Sequence, residues 1–124
     1  MVKKVILDSS FILSAVREKI DIFEEIPFMG FVIIVPEEVI AEIEGVAKSK
    51  QKLKERDNAK LALKIIKANK FESIQLGKNY VDDGLRDYAK EHPEVIIATL
   101  DRELKKEINN YIMVIRGRKK LEVL

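Results

Sequence analysis

The segment KKVILDSSFIL (Lys3–Leu13) decides how the rest of the chain can be arranged. Its part Lys4–Asp8 is typical of a strand that is buried on both faces and ends in an acid. Two hydroxyl residues, Ser9 and Ser10, follow before apolar residues resume. A carboxylate at the end of a buried strand is either a cap for the next helix or part of a ligand site. The pattern alone leaves both interpretations open.

Further apolar runs alternate with helical patterns along the chain. Strands are predicted at Lys4–Asp8, Phe31–Val35, Phe71–Leu76, Glu94–Leu100 and Tyr111–Ile115, with the final LEVL as an additional edge strand. Helices are predicted from a serine cap through Glu18, at 21–30 with a stop at Pro27, at 36–45 with a stop at Gly45, at 57–70, at 81–92 and at 101–110. We therefore expect a single α/β domain over residues 1–124, with a mainly parallel sheet of about five strands between two layers of helices.

The sequence also bears on a basic segment in the middle of the chain and on the buried face of the helix that follows it. Residues 46–58 could form a flexible basic loop or extend a neighbouring helix. In the following helix, the spacing places Leu61, Ile65 and Ala68 on the inner face.

The composition excludes several classes of chemistry. The chain has 124 residues and no cysteine, so it forms no disulfide, thiolate metal site or cysteine nucleophile. With His92 as the only histidine, a Ser-His-Asp triad is not easily assembled. Phosphate-binding glycine motifs are absent. The chain shows neither an apolar run long enough to span a bilayer nor a signal-peptide pattern, so we expect a cytoplasmic protein with no membrane segment.

Charge is distributed in blocks. Residues 1–45 carry four basic and nine acidic side chains, whereas residues 46–70 carry nine and two. Residues 71–101 are acidic again and 102–124 are basic. This pattern suits either solvated helix faces or an acidic centre with basic flanks that hold a polyanion.

Acidic residues recur at the strand-to-helix transitions. Asp8 follows the first strand and Asp101 follows the fourth, while Glu42 and the pair Asp82–Asp83 lie on helices that follow strands. Parallel strands present their carboxyl ends at one edge, so these carboxylates should converge there. Clustered like charges are costly, and oxygen donors without His or Cys select Mg²⁺ or Mn²⁺. A phosphodiester backbone is the natural substrate of such a site. Capping and solvated helix faces remain the alternatives for each acid taken singly.

Four motifs in this order resemble those of PIN-domain nucleases over essentially the whole chain: VILDSSFIL, VPEEVIAEIEG, YVDDGLRDYA and IIATLDRELKKEI. The resemblance implies a PIN-like fold and a divalent-metal-dependent endoribonuclease. It implies catalytic and metal-binding roles for Asp8, Glu42, Asp83 and Asp101. Asp83 is preferred to Asp82 for its spacing of 18 residues to Asp101, and Asp82 remains a second candidate metal ligand.

Supporting roles are expected for further residues. By resemblance, Ser10 and Thr99 match hydroxyl positions near the first and last acids, and Glu103 is a candidate for a second metal contact. Tyr80, next to the acid pair, could stack on a base or pack in the core. Candidate RNA-binding residues are Lys48, Lys50, Lys52, Lys54, Arg56, Arg116, Arg118, Lys119 and Lys120.

Two branches of the family are similar to this sequence: nucleases of small-subunit rRNA maturation, and VapC-type toxins of toxin–antitoxin pairs. The resemblance implies an RNA substrate, a homodimer, and either an antitoxin or a ribosome-assembly partner. The competing hypothesis is a non-catalytic RNA-binding or assembly module on the same fold.

Overall fold

The sheet is built around the segment quoted above. The computed structural model describes residues 2–117 and 119–124. Its six strands lie in the order β3-β2-β1-β4-β5-β6. They are β1 (Lys4–Leu7), β2 (Val32–Pro36), β3 (Glu72–Ile74), β4 (Ile96–Ala98), β5 (Ile112–Arg116) and β6 (Lys120–Val123). The first five are parallel and β6 pairs antiparallel with β5, which confirms a mainly parallel sheet with LEVL contributing to an edge strand.

Helices cover both faces of the sheet. They are α1 (Ser9–Arg17), α2 (Ile22–Phe28), α3 (Glu37–Lys48), α4 (Leu53–Lys67), α5 (Val81–Glu91) and α6 (Arg102–Glu107). Successive side chains of a strand point to opposite faces. Val5 and Leu7 accordingly pack in the core formed with α1–α4, while Ile6 packs in the core formed with α5 and α6. All three are fully buried, as the apolar run predicted. The expected three-layer α/β/α architecture is therefore confirmed.

The order of the strands creates a crevice beside β1. The chain builds β2 and β3 on one side of β1 and then crosses through α5 to place β4 on the other side. Ligands in open α/β sheets bind outside the carboxyl ends of the strands at such a reversal. The crevice between the ends of β1 and β4 is therefore the expected ligand-binding site.

Several element boundaries differ from the sequence prediction, among them those of α2, α3 and α4. Helix α3 continues through Gly45 to Lys48, and α4 already begins at Leu53, so residues 46–58 mostly extend the two helices around a short turn. Pro27 lies inside α2, which ends only at Phe28. Gly30 then adopts a φ of 90°, and the N–H of Phe31 bonds the carbonyl of Ile26. This is a Schellman motif, in which glycine supplies the left-handed residue after the helix.

The residues of α4 that face the core differ from those that the spacing predicted. Ala59, Ala62 and Ile66 are buried, while Leu61 is 48% exposed. The two alanines leave room for α3 and α1 to pack closely against α4, so the small side chains define the buried stripe. Leu61 and Ile65 instead border an open groove beside α1.

No helix in the described ranges 2–117 and 119–124 has the length and apolar character needed to cross a membrane.

Gly84 in α5 marks a close approach between that helix and the segment after β3. A Cβ on Gly84 would lie 2.7 Å from Cβ of Leu76, which is closer than two carbon atoms can approach without movement. The missing side chain therefore allows Leu76 to lie directly on the helix.

Replacing Gly84→Ala should lower the free energy of unfolding by about 1–3 kcal/mol, because the new methyl group overpacks this contact. Gly45→Ala is the matched control: it lies within α3 with nothing within 4 Å of the added methyl group. That variant should gain up to about 1 kcal/mol from helix propensity. Urea denaturation measures both, and a Gly84→Ala protein as stable as the parent would contradict the packing argument.

Candidate active site

Asp8 lies at the crevice and is the N-cap of α1, so the capping interpretation of its position is confirmed. Its Oδ1 accepts a hydrogen bond from the N–H of Ser9 at 2.8 Å, as the N-cap of α1. Its Oδ2 accepts hydrogen bonds from Thr99 Oγ1 at 2.7 Å and Ser10 Oγ at 3.2 Å. The residue is only 4% exposed. The predicted serine cap of α1 is wrong, because the residue before the helix is Asp8.

The same hydroxyl groups join the end of β1 to the end of β4. Ser10 Oγ accepts from the N–H of Leu100 at 3.2 Å, and Thr99 Oγ1 accepts from the N–H of Asp101 at 3.1 Å. Each hydroxyl thus takes a backbone proton on one side and donates its own proton to Asp8 on the other. Ser10 lies beside the first acid, as the resemblance implied, whereas Thr99, expected near the last acid, contacts both Asp8 and the backbone of Asp101.

Asp101 caps α6 in the way that Asp8 caps α1. Its Oδ1 accepts from the N–H groups of Glu103 at 2.9 Å and Leu104 at 3.4 Å. One carboxylate oxygen of Asp101 is therefore occupied by the helix. The side chain of Glu103 lies on the exposed surface of α6, and only its backbone contacts Asp101.

Glu42 reaches Asp8 from α3 through a serine hydroxyl. Ser9 Oγ donates a hydrogen bond to Glu42 Oε1. Sequence reasoning did not assign Ser9 to the site, although its place in the pair after Asp8 was a usable signal. Glu38, one turn earlier in α3, accepts instead from the N–H groups of Leu76 and Gly77. Partial burial raises the pKa of Glu38, but these backbone donors outweigh it and leave the pKa below its usual value.

The structure brings Asp82, and not Asp83, to the other acids. Burial raises the pKa of Asp82, and the negative charges of Asp101 and Asp8 together with a hydrogen bond to Asp101 raise it further. Asp83 forms an ion pair with Arg86 at 2.8 Å. Asp83, which the sequence spacing preferred, is thus paired with Arg86, and Asp82 is the member of the pair that lies near Asp101 and Asp8.

Arg86 also ties together the two helices that carry Asp82 and Asp101. Its guanidinium pairs with Asp83 on α5 and with Glu107 on α6. The Asp83–Arg86 spacing of three residues is visible in the sequence and favours a pair on one helix face. This spacing could have indicated from the sequence that Asp83, rather than Asp82, is the aspartate paired with Arg86.

The candidate RNA-binding residues divide into two groups by position. The β5–β6 hairpin carries Arg116, Lys119 and Lys120, and it turns at the carboxyl edge of the sheet, the edge that holds the acids. Arg116 pairs with Glu122 at 3.8 Å, and Arg118 lies outside the described residues.

The second group is Lys48, Lys50, Lys52, Lys54 and Arg56 around the α3–α4 turn. In that turn Gln51 lines a cavity with Leu13 and Arg17, in the half of α1 that points away from Asp8. The structure therefore does not bring this group into the crevice.

The acid cluster has the donor chemistry of a hard-cation site. In the described part of the chain, no lysine or arginine forms an ion pair with Asp8, Glu42, Asp82 or Asp101. Burial raises the pKa of Asp8, and the neighbouring charge of Glu42 adds to that effect. Oxygen donors with uncompensated charge fit Mg²⁺ or Mn²⁺. As the side chains are arranged, however, no three acids among the described residues are close enough to share one ion.

The stability of the protein should depend on the ionisation of Asp8. Because the folded pKa is raised, the folded protein binds this proton more tightly than the unfolded chain, so stability falls as pH rises from the unfolded to the folded pKa. Asp8→Asn should therefore be more stable than the parent at neutral pH without divalent cations, and this difference should vanish in acid. Asparagine caps helices as well as aspartate does, and both hydroxyls can reorient to it.

Urea denaturation at several pH values measures this dependence, with Asp83→Asn as the control. Asp83 is exposed and lies outside the buried cluster, so its variant should show no gain at neutral pH. An Asp8→Asn protein that is less stable than the parent at neutral pH would contradict the argument.

Known proteins are similar to this chain in sequence and in fold. Residues 5–120 match a family described as PIN-like domain. The chain is 31% identical to Ribonuclease VapC4 of Methanocaldococcus jannaschii, over 97% of this chain and 95% of that protein. It resembles the solved structure of the PIN domain endonuclease Utp24 with a TM-score of 0.78 and 26% identity, over 98% of this chain and 92% of that one. The structure of VapBC2 from Rickettsia felis, bound to a DNA fragment from its promoter, shares the fold with a TM-score of 0.55 at 16% identity, over 90% and 98% of the two chains. The family match and the similarity to VapC4 both extend over nearly the whole sequence, and the chain therefore belongs to the PIN-like domain family.

Proposed function

We propose that this protein is a divalent-metal-dependent endoribonuclease that hydrolyses RNA phosphodiester bonds. The observation that carries the proposal is the convergence of acids at the carboxyl ends of β1 and β4 without an ion-paired cation among the described residues. The names of the similar proteins, a ribonuclease and an endonuclease, support this class of reaction.

Asp8, Glu42, Asp82 and Asp101 are the residues proposed to hold Mg²⁺ or Mn²⁺, and their side chains would have to turn closer together than they lie without the ion. When bound, such an ion lowers the pKa of a water molecule and neutralises charge that develops on the phosphate. Asp82 replaces Asp83 in this set, because Arg86 occupies Asp83. Glu103 lies in the first turn of α6 and is a candidate contact for a second ion.

The remaining residues of the site position these carboxylates. Thr99 and Ser10 orient Asp8 by donating to one of its oxygens, and the backbone of α1 holds the other. The backbone of α6 fixes Asp101. Arg86 holds α5 against α6, so that Asp82 faces Asp101. Preorganised groups of this kind reduce the cost of reaching the productive geometry.

Basic residues outside the acid cluster are proposed to bind the phosphates that flank the cleaved bond. Arg116, Lys119 and Lys120 on the β5–β6 hairpin are the better-placed group, because they share the edge of the sheet with the acids. Lys48, Lys50, Lys52, Lys54 and Arg56 would contact RNA only where it extends along α1. Phosphate contacts of this kind hold the backbone without reading its sequence.

Two biological settings are compatible with this activity. The first is rRNA processing with a ribosome-assembly partner, which rests on the sequence resemblance to the nucleases of small-subunit rRNA maturation. Similarity to VapC4 supports a toxin with an antitoxin partner. A cytoplasmic location and a homodimer suit either setting. Growth arrest on expression, relieved by the product of a neighbouring gene, would favour the toxin.

Asp8→Asn and Asp101→Asn should each lower the cleavage rate of unpaired RNA by at least about 100-fold, because each removes a charge from the cluster. Asp83→Asn is the matched control and should retain most of the parental activity. A fluorescent RNA resolved on a gel measures the rates with Mg²⁺, with Mn²⁺ and with EDTA, which should abolish cleavage. Undiminished cleavage by Asp8→Asn would contradict the proposal, and RNA binding without cleavage by the parent would favour the non-catalytic module.

Metal affinity separates Asp82 from Asp83 without reference to activity. Asp82→Asn should weaken Mn²⁺ binding about tenfold or more, whereas Asp83→Asn should leave it nearly unchanged, because Asp83 is paired with Arg86. Isothermal titration calorimetry with MnCl₂ measures both. Weaker Mn²⁺ binding by Asp83→Asn than by Asp82→Asn would indicate that Asp83, and not Asp82, is the metal ligand.

A further inference from the structure

Tyr80 presents its ring to solvent beside the acid cluster. It is the residue before α5 and lies two positions before Asp82. The residue is 72% exposed, which excludes the core-packing alternative that the sequence left open. An aromatic ring that contributes nothing to the core leaves a large apolar face free for contact with another molecule.

The segment that carries Tyr80 is held firmly in place. The carboxylate of Glu38 accepts from the N–H groups of Leu76 and Gly77 at 3.0 Å. Leu76 packs directly on Gly84, and Lys78 forms an ion pair with Asp87 at 3.2 Å. Three contacts thus fasten residues 76–78, shortly before Tyr80, to α3 and α5.

The other exposed aromatic residues of the described chain lie at the opposite edge of the sheet. Phe28 ends α2, which leads into the start of β2, and Tyr111 precedes the start of β5. Tyr111 also lies under the ammonium group of Lys3, at 5.6 Å from the ring centroid. Among these three residues, Tyr80 alone is at the edge that holds Asp8 and Asp101.

We propose that Tyr80 is a stacking platform for an unpaired nucleobase of the RNA, next to the acid cluster that contains Asp82 and Asp101. The proposal rests on the proposed function and adds to it a residue that contacts the bases of the unpaired RNA. A base in a duplex already stacks on its neighbours, whereas an unpaired base can turn onto a protein ring. Such stacking tolerates any base, because every base has a π-face. Tyr80 therefore favours unpaired RNA without selecting a sequence.

The absence of tryptophan from the chain provides a direct test. Tyr80→Trp, made together with Asp8→Asn to suppress cleavage, carries one tryptophan as a reporter. Its fluorescence should be quenched by a short RNA of mixed sequence without internal pairing, and much less by the corresponding duplex. Tyr111→Trp in the same background is the matched control, since Tyr111 is 61% exposed but lies at the opposite edge. Its fluorescence should not change.

Kinetics in the parental background supply a second readout. Tyr80→Ala should raise KM for unpaired RNA about tenfold with kcat changed only a few-fold, whereas Tyr80→Phe should match the parent, because stacking uses the ring and not the hydroxyl. Tyr111→Ala should behave like the parent.

The outcomes distinguish this inference from the proposed function. Cleavage by the parent, with RNA bound by anisotropy but no quenching of the tryptophan at position 80, overturns the stacking inference and leaves the nuclease. Quenching by unpaired RNA without any cleavage by the parent supports stacking and overturns the nuclease. Equal quenching by duplex, a Tyr80→Phe variant as impaired as Tyr80→Ala, or no RNA binding at all overturns the stacking inference.

Discussion

The hydrogen bonds around the carboxylate of Asp8 hold together the part of the molecule on which the site depends. One oxygen starts α1 and the other receives the hydroxyl protons of Thr99 and Ser10. Because Thr99 follows β4, these bonds join the ends of two strands that are neighbours in the sheet but distant in sequence. A buried carboxylate is unfavourable unless it is paired or hydrogen-bonded. Here the bonds that satisfy it are the same bonds that align the ends of β1 and β4.

The positions of the other acids follow from this junction. Asp101 starts α6 one strand away, Glu42 approaches through Ser9, and Asp82 approaches from the first turn of α5. Burial and like charges raise the pKa values of Asp8 and Asp82, so the native fold retains a cluster that is electrostatically unfavourable. Such clusters mark functional sites more often than structural ones. The raised pKa values and the family membership thus both support a functional site at the carboxyl ends of β1 and β4.

Most of the fold could be predicted from the sequence, because its strands are short apolar runs and its acids follow them. What could not be predicted depends on packing between elements. The buried stripe of α4 runs through Ala59, Ala62 and Ile66, and only the approach of α1 and α3 determines that small residues face inward there. The choice between Asp82 and Asp83 depends on Arg86, whose second partner, Glu107, lies on another helix. Spacing to Asp101 carries no information on that contact.

The pairing of Asp83 with Arg86 has an evolutionary consequence. Successive residues of a helix are about 100° apart around its axis, so the two aspartates project in different directions from the same turn. A drift of Arg86 to an uncharged residue would release Asp83, and the head of α5 would then carry two free carboxylates. A lineage that subsequently lost Asp82 would still possess an acid in this turn. The adjacent aspartates of this chain would thus let the first turn of α5 keep a negative charge after the loss of either one.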